Sequence, residues 1–327
     1  AVYPWKMRTS SNDLADPRKG ANPELFTKEA GSDLWVDHTA GYLVPKELYY
    51  DVHPDWSAMR PTGKRIAKDK FSHHRTPLCL SNDAMTQVCI ERMNAWIENQ
   101  PACRFFNITY GDTRFYCQCP ECKKLDPKPG TYTDRKLRWV NAIARAVGKK
   151  HPDKVFLTFA YQNTQPPPQQ RKPEPNVVAL YTPWWGRSTM CRHHPYFWCN
   201  RSIVGATEME GWFKAAPNSL GVYDYSIGSQ LKMRAYEAKL KWWAKRGYRA
   251  FFELGNPKEF RNLENYVKAR LAWDASLDPA KLQLEYCQAL YGPEAGKHVS
   301  DVINLKYHYY VDPGDHDFGS PRWMPEG

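Results

Sequence analysis

The sequence predicts an α/β fold, a (β/α)8 TIM-like barrel, because short apolar runs alternate with helical stretches along the chain. The runs are continuously apolar, as is typical of parallel strands that are buried on both faces. No Gly-rich phosphate loop follows any of them, which counts against the competing fold, a doubly wound sheet that binds nucleotides. The 327 residues suffice for one large domain of this class.

Seven segments are strand candidates, and they lie at residues 2–8, 77–81, 104–110, 154–161, 177–182, 220–226 and 249–254. An eight-stranded barrel needs one more strand. Either the first strand is missing from this chain, or it lies within residues 24–44.

Helices are predicted at residues 84–99, 134–150 and 231–246. Asn82 and Asp83 are good N-cap residues for the first helix, and Gly247 is a natural end for the third. After Glu253 the chain is predicted to be helical almost to Tyr310. We therefore expect a barrel domain over residues 1–275 and a C-terminal helical extension over residues 276–327, packed on the barrel.

The composition bears on three classes of function: nucleic-acid binding, membrane insertion and sugar binding. The net charge of +11 suits acidic partners, but the basic residues are dispersed along the chain, so nucleic acid is a weak expectation. No run of 18 apolar residues is present, so no membrane span is predicted. The aromatic share of 14% fits either a large aromatic core or flat faces on which sugar rings stack.

Polar and aromatic side chains follow the predicted strands, at the edge where the chemistry of a parallel barrel is found. They are Asn82, Asp112, Tyr161, Gln162, Trp184, Trp185, Tyr223, Asp224, Tyr225 and Glu253. Any one carboxylate among them could be a helix cap or an ion-pair partner. Three carboxylates set among aromatic residues are what glycoside hydrolysis requires, because one acid must stay protonated and apolar surroundings raise its pKa.

We assign catalytic roles to Glu253 and Asp112. Glu253 lies between Phe252 and Leu254, so it is the expected general acid, whereas Asp112 has polar neighbours and could stay ionised to stabilise a positive centre. The other strand-end residues are expected to bind substrate. His38 and His53 join them if the region after the first strand forms a loop over the barrel mouth, although an isolated His is more often structural.

Three cysteines, Cys117, Cys119 and Cys122, lie within six residues, and the last two have the two-residue gap of zinc knuckles. A structural zinc site would need a fourth ligand from Cys191, Cys199, His193 or His194. Disulfides and free thiols are the alternatives. Cys79, Cys89 and Cys287 fall on apolar faces and are expected to be small core residues.

The order of short motifs resembles the bacterial family known as domain of unknown function 4838. These motifs are HTAGYLVP at 38–45, HPDW at 53–56, LCLSN at 78–82, GD at 111–112, CxCPxC at 117–122, AYQ at 160–162, VYDY at 222–225 and LAW at 271–273. The chain reads Gly111-Asp112-Thr113 where the family has Asn-Asp-Gly. The family's N-terminal region, a small domain with the first barrel strand, is expected to lie outside this chain. A partner chain or an N-terminal segment is therefore expected to complete the barrel.

This resemblance implies a glycoside hydrolase that acts on a β-linked, N-acetylated glycan, similar to endo-β-N-acetylglucosaminidases. Such an enzyme retains configuration and uses the substrate's acetamido group or a carboxylate as nucleophile. Glu253 would be the acid/base, and Asp112, Tyr161 or Asp224 would hold the acetamido group. No cofactor is expected for catalysis, and the expected location is extracytoplasmic (periplasmic, secreted or envelope-associated). The alternative is a non-catalytic protein that uses the same barrel for glycan binding or assembly.

Overall fold

The computed structural model describes residues 38–72, 74–183, 203–217, 219–225, 240–248, 251–254 and 261–310. The chain divides into two compact units. We call residues 12–182 with 211–221 the N-terminal unit, and residues 1–11, 183–210 and 222–327 the C-terminal unit. The predicted strand at residues 2–8 lies outside the described residues.

The N-terminal unit contains a parallel sheet of three strands in chain order, β1 (Phe105–Asn107), β2 (Val155–Tyr161) and β3 (Val177–Thr182). Its helices are α1 (Ala40–Leu43), α2 (Lys46–Tyr49), α3 (Asp83–Asn99), α4 (Pro120–Lys123) and α5 (Thr133–Lys150). Short 3-10 turns lie at Pro54–Trp56, Lys68–Lys70 and Gln162–Thr164.

Helix α5 provides the main cover of this sheet. Its residues Trp139, Val140 and Ile143 are fully buried in one core cluster with Phe156 of β2, and α3 adds Met85, Cys89 and Met93 to the same cluster. Burying a large apolar side chain contributes about 2–3 kcal/mol. The face of β2 that carries Phe156 is therefore the structural face, and Phe159 and Tyr161 lie on the other face because side chains alternate along a strand.

In the C-terminal unit, residues 222–225 of β4 (Leu220–Tyr225) pair in parallel with β5 (Phe251–Leu254). Residues 203–210 of this unit begin helix α6 (Ile203–Ala215), and residues 240–245 are helical. The remaining helices are α7 (Arg261–Trp273), α8 (Pro279–Tyr291) and α9 (Pro293–Tyr310). The Gln283 side chain joins α8 to α9 by donating to Ser300 and Asn304.

Most predicted elements within the described residues are confirmed, but the strand predicted at residues 77–81 is wrong. Residues 77–81 form only an isolated antiparallel bridge between Ser57 and Leu78, because Pro77 has no amide hydrogen and the Leu78 amide donates to the Tyr110 hydroxyl. The alternative location of the first strand, within residues 24–44, is described only from residue 38 onward, where helix α1 lies.

The architecture of the described residues is α/β with parallel strands, and it does not establish a closed eight-stranded barrel. The predicted domain boundary at residue 275 stays a prediction. Among the described residues, no helix combines the length and the apolar character that crossing a bilayer requires.

Candidate functional site

A group of aromatic rings lies on the face of β2 opposite Phe156, near the carboxyl end of the strand. The His38 ring lies 5.1 Å from the Phe159 ring and 6.0 Å from the Tyr161 ring, measured between centroids. A hydrogen bond of 2.7 Å between His38 Nδ1 and the Tyr110 carbonyl ties the histidine to the chain just after β1. Two residues predicted to bind sugar, His38 and Tyr161, are thus brought together.

A polar pair connects the ends of β1 and β2. Gln162 Nε2 donates to Asp112 Oδ1 at 3.0 Å. Gln162 has φ 52°, a left-handed conformation that costs a non-glycine residue energy and that often marks functional sites. It is only 8% exposed, and its Oε1 accepts no hydrogen bond from the described residues. Gln162 therefore has a buried acceptor without a hydrogen-bond donor among the described residues.

Close backbone contacts fix the position of Asp112. A Cβ on Gly111 would lie 2.6 Å from the Thr76 nitrogen, so glycine is required for this approach. The amide of Asp112 donates to the His74 carbonyl. The predicted site residue Asp112 is thus half-buried on a rigid turn, with its carboxylate turned to Gln162.

Lys136 of α5 is fully buried behind the end of β2. Its ammonium donates to the Phe159 carbonyl and to Thr164 Oγ1. Burial away from water lowers the pKa of Lys136 from its ordinary value of 10.5 to about 7. No sequence pattern singles out this lysine, since it lies in a predicted helix among other charged residues.

The C-terminal unit places two predicted carboxylate positions beside each other. Asp224 of β4 pairs in register with Glu253 of β5, next to the carboxyl ends of both strands. Asp224 is 1% exposed, and Tyr223 beside it is also buried. The side chains of Glu253 and Tyr225, and the residues Trp184 and Trp185, lie outside what the structure describes.

The other two predicted sugar-binding residues make local structural contacts. His53 stacks on Trp56 with ring centroids 4.1 Å apart. Asn82 caps α3, with Oδ1 accepting from the Met85 amide at 2.9 Å, and its Nδ2 donates to Asp55 at 2.9 Å. A sugar-binding role for His53 and Asn82 stays a prediction.

A second candidate site is a buried cluster of four cysteines, Cys79, Cys117, Cys119 and Cys122, whose Sγ atoms all lie within 4.8 Å of one another. Cys79, predicted as a small core residue, is buried in the core cluster, and its thiol also completes the cysteine cluster. The fourth ligand expected from Cys191, Cys199, His193 or His194 is therefore not needed, and those residues lie outside the described part of the chain. All four cysteines of the cluster are free of disulfide bonds.

Hydrogen-bond donors surround these sulfur atoms. The Met59 amide donates to Cys117 Sγ at 3.2 Å, and the Cys122 amide donates to Cys119 Sγ at 3.4 Å. The thiols also interact strongly with one another. Hydrogen bonds from Cys117 and Cys122 lower the pKa of Cys79, and the contacts of Cys122 with Cys117 and Cys79 raise the pKa of Cys122. Such a set of sulfur ligands can hold one metal ion.

Two solved structures are similar to parts of this chain. Both are of the GH36 alpha-galactosidase AgaA from Geobacillus stearothermophilus. A doubly substituted form with stachyose matches with 11% identity and a TM-score of 0.35, over 69% of this chain and 28% of that chain. A second structure matches with 12% identity and a TM-score of 0.33, over 79% of this chain and 29% of that chain. The matches span under a third of that enzyme, and a likeness this weak establishes neither fold nor activity.

The comparison with curated proteins found no match. The family described as domain of unknown function, DUF4838, matches residues 3–304. This range covers most of the 327 residues and contains every motif on which the resemblance rested. The chain therefore belongs to the DUF4838 family.

Proposed function

We propose that this protein is a glycoside hydrolase that cleaves a β-linked, N-acetylated glycan with retention of configuration. The observation that carries the proposal is the register of β4 and β5, in which Asp224 and Glu253 are direct neighbours near the carboxyl ends of parallel strands. An extracytoplasmic location fits a glycan substrate of this kind and is part of the same proposal.

The register of β4 and β5 suits a reaction in which two carboxyl groups act together on one glycosidic bond. Neighbouring strands lie about 4.8 Å apart, and residues in register share one face of the sheet. Retaining glycosidases need their two carboxyl groups about 5–5.5 Å apart. Asp224 is buried. Glu253 has Phe252 and Leu254 as sequence neighbours, and apolar surroundings of this kind suit a general acid.

In the proposed reaction, Glu253 donates its proton to the glycosidic oxygen as the bond from that oxygen to C1 breaks. The acetamido oxygen of the same sugar attacks C1 and forms a cyclic intermediate, while Asp224 accepts a hydrogen bond from the acetamido N–H. The Glu253 carboxylate then takes a proton from water, whose oxygen attacks C1 and reopens the ring. Two inversions at C1 give net retention, and no cofactor takes part. If Asp224 attacked C1 instead, a covalent glycosyl-enzyme would form.

The N-terminal unit supports a role in substrate binding. The partly exposed rings of His38 and Tyr161 offer apolar faces on which a sugar could stack, with Phe159 packed near both. The catalytic role predicted for Asp112, orienting or stabilising the substrate, stays a prediction. The same features favour the second candidate function, glycan binding without cleavage.

The deciding experiment is incubation of the full chain with a complex-type N-glycan that carries two core N-acetylglucosamine units, followed by mass analysis. We expect a glycan product shorter by one N-acetylglucosamine, because the linkage between the two units is the proposed target. A glycan that binds in a titration but is recovered intact would establish the binding function and contradict the enzymatic one.

A further inference from the structure

We propose that Cys79, Cys117, Cys119 and Cys122 bind one zinc ion in a closed, structural site that anchors the loop after β1. This proposal is independent of the glycosidase proposal, because it concerns the N-terminal unit's own packing and is tested by metal content.

The spacing of the sulfur atoms fits a single tetrahedral ion. Zinc lies about 2.3 Å from each thiolate sulfur, which puts the sulfur atoms of a tetrahedral site about 3.8 Å apart. The Cys79 Sγ lies 3.6 Å from Cys117 Sγ, 3.7 Å from Cys119 Sγ and 3.8 Å from Cys122 Sγ. A disulfide would bring two of these atoms to about 2.05 Å. The arrangement is therefore that of four ligands around one centre.

The ligands are held by backbone structure. Cys119 is the N-cap of α4, with its sulfur accepting from the Cys122 amide, so the two-residue gap turns both thiols to the same side. Cys79 comes from the segment that precedes α3, where its amide donates to the Trp56 carbonyl at 2.8 Å. Residues 38 positions apart, Cys79 and Cys117, thus meet in a site that needs little rearrangement to close.

The surroundings can carry the charge of the complex. Four thiolates and Zn²⁺ have a net charge of about −2, which a buried site must offset. Two polar side chains add to the amide donors. Arg65 Nη1 lies 4.0 Å from Cys117 Sγ, and Ser81 Oγ lies 3.2 Å from Cys122 Sγ. The buried Arg135 guanidinium donates to the Cys117 carbonyl and pairs with Asp126. Four protonated thiols without a metal carry no charge, so these donors would then have no negative charge to offset.

Binding is an exchange of protons for metal. Four S–H bonds release four protons to solvent as four Zn–S bonds form, so affinity falls as pH falls. With four protein ligands, no position is left for water or substrate, so the site is structural. It ties the loop that begins with Gly111 and Asp112 to the start of α3.

The test is metal analysis of the purified full chain, with Cys79→Ser compared with Cys103→Ser. Cys103 is also buried but lies outside the cluster, so it controls for the cost of the substitution itself. We expect one zinc per chain in the wild type and in Cys103→Ser, and severalfold less in Cys79→Ser. Zinc removal should expose four additional thiols to a thiol reagent and lower the melting temperature.

Refolding of the wild-type chain with Co²⁺ gives a second readout that does not depend on a variant folding. We expect the visible bands of tetrahedral cobalt and a sulfur-to-cobalt charge-transfer absorption with the intensity of four thiolates. Absence of metal, iron in place of zinc, a disulfide among the four cysteines, or full zinc content in Cys79→Ser would each overturn the proposal.

Discussion

At the scale of single residues, the burial of Lys136 makes the free energy of unfolding depend on pH. The unfolded chain keeps this proton up to about pH 10.5, whereas the folded protein releases it near its depressed pKa of about 7. Because the unfolded state then binds more protons between these values, the free energy of unfolding should rise as pH increases through that window. The sign follows from desolvation, which penalises the charged form of a buried lysine.

We predict that the contribution of Lys136 increases the free energy of unfolding by about 2 kcal/mol between about pH 7 and about pH 9. Denaturant unfolding of wild type and Lys136→Met at several pH values measures this contribution to the free energy of unfolding. Lys149→Met is the control, because Lys149 is exposed on the same helix. A pH slope that is the same in wild type and Lys136→Met would show that the buried lysine does not titrate in this range.

The sequence alone predicted three of the four cysteines in the cluster as metal ligands. The spacing of Cys117, Cys119 and Cys122 is a local signal, whereas Cys79 is flanked by Leu78 and Leu80, which are both buried in the core. Its apolar neighbours predicted a core position, and that part is right. What the sequence could not reveal is that the chain brings this position next to a loop 38 residues later.

At the scale of elements, Asp134 of α5 holds the Pro-rich loop that follows β2. Its buried carboxylate accepts from the amides of Gln169, Gln170 and Arg171 at 2.9, 2.8 and 2.7 Å. The prolines of this loop have no amide hydrogen, so these three amides are among the few donors by which it can be fixed. A single side chain thus anchors one loop to one helix.

We predict that Asp134→Ala lowers the free energy of unfolding by about 3 kcal/mol or more, because it leaves three amides without their acceptor. Hydrogen exchange at residues 169–171 should become much faster than in the wild type. Asp301→Ala, which removes an exposed carboxylate from α9, should change neither quantity. Unchanged protection of residues 169–171 in Asp134→Ala would show that the loop is held by other contacts.

How well the sequence predicted an element depended on whether its backbone hydrogen bonds are made to nearby or to distant residues. β3 occupies the predicted residues 177–182, and α5 begins one residue before its predicted start, because the apolar pattern that predicts each of them is local. β1 is shorter than predicted, since the Thr109 amide donates to the Thr39 hydroxyl and its carbonyl accepts from Ala40. Such partners, about 70 residues away in the chain, leave no local signal.

At the scale of the whole molecule, the proposed function depends on carboxyl groups at the ends of separate strands. The sequence predicted the bounds of β4 and β5 closely, and their register then made Asp224 and Glu253 neighbours. Register could not be read from the sequence, because it is set by how the two strands pack and not by either strand alone. Membership in DUF4838 over residues 3–304 identifies the family but no reaction.

The most direct test of the central claim is the rate of glycan cleavage by Glu253→Gln relative to wild type, measured by mass analysis of products over time. We predict a loss of at least about a hundredfold, because the amide cannot protonate the leaving oxygen. The melting temperature should be little changed. Glu285→Gln, the same substitution at an exposed position of α8, should keep the wild-type rate. Wild-type turnover in Glu253→Gln would contradict the account.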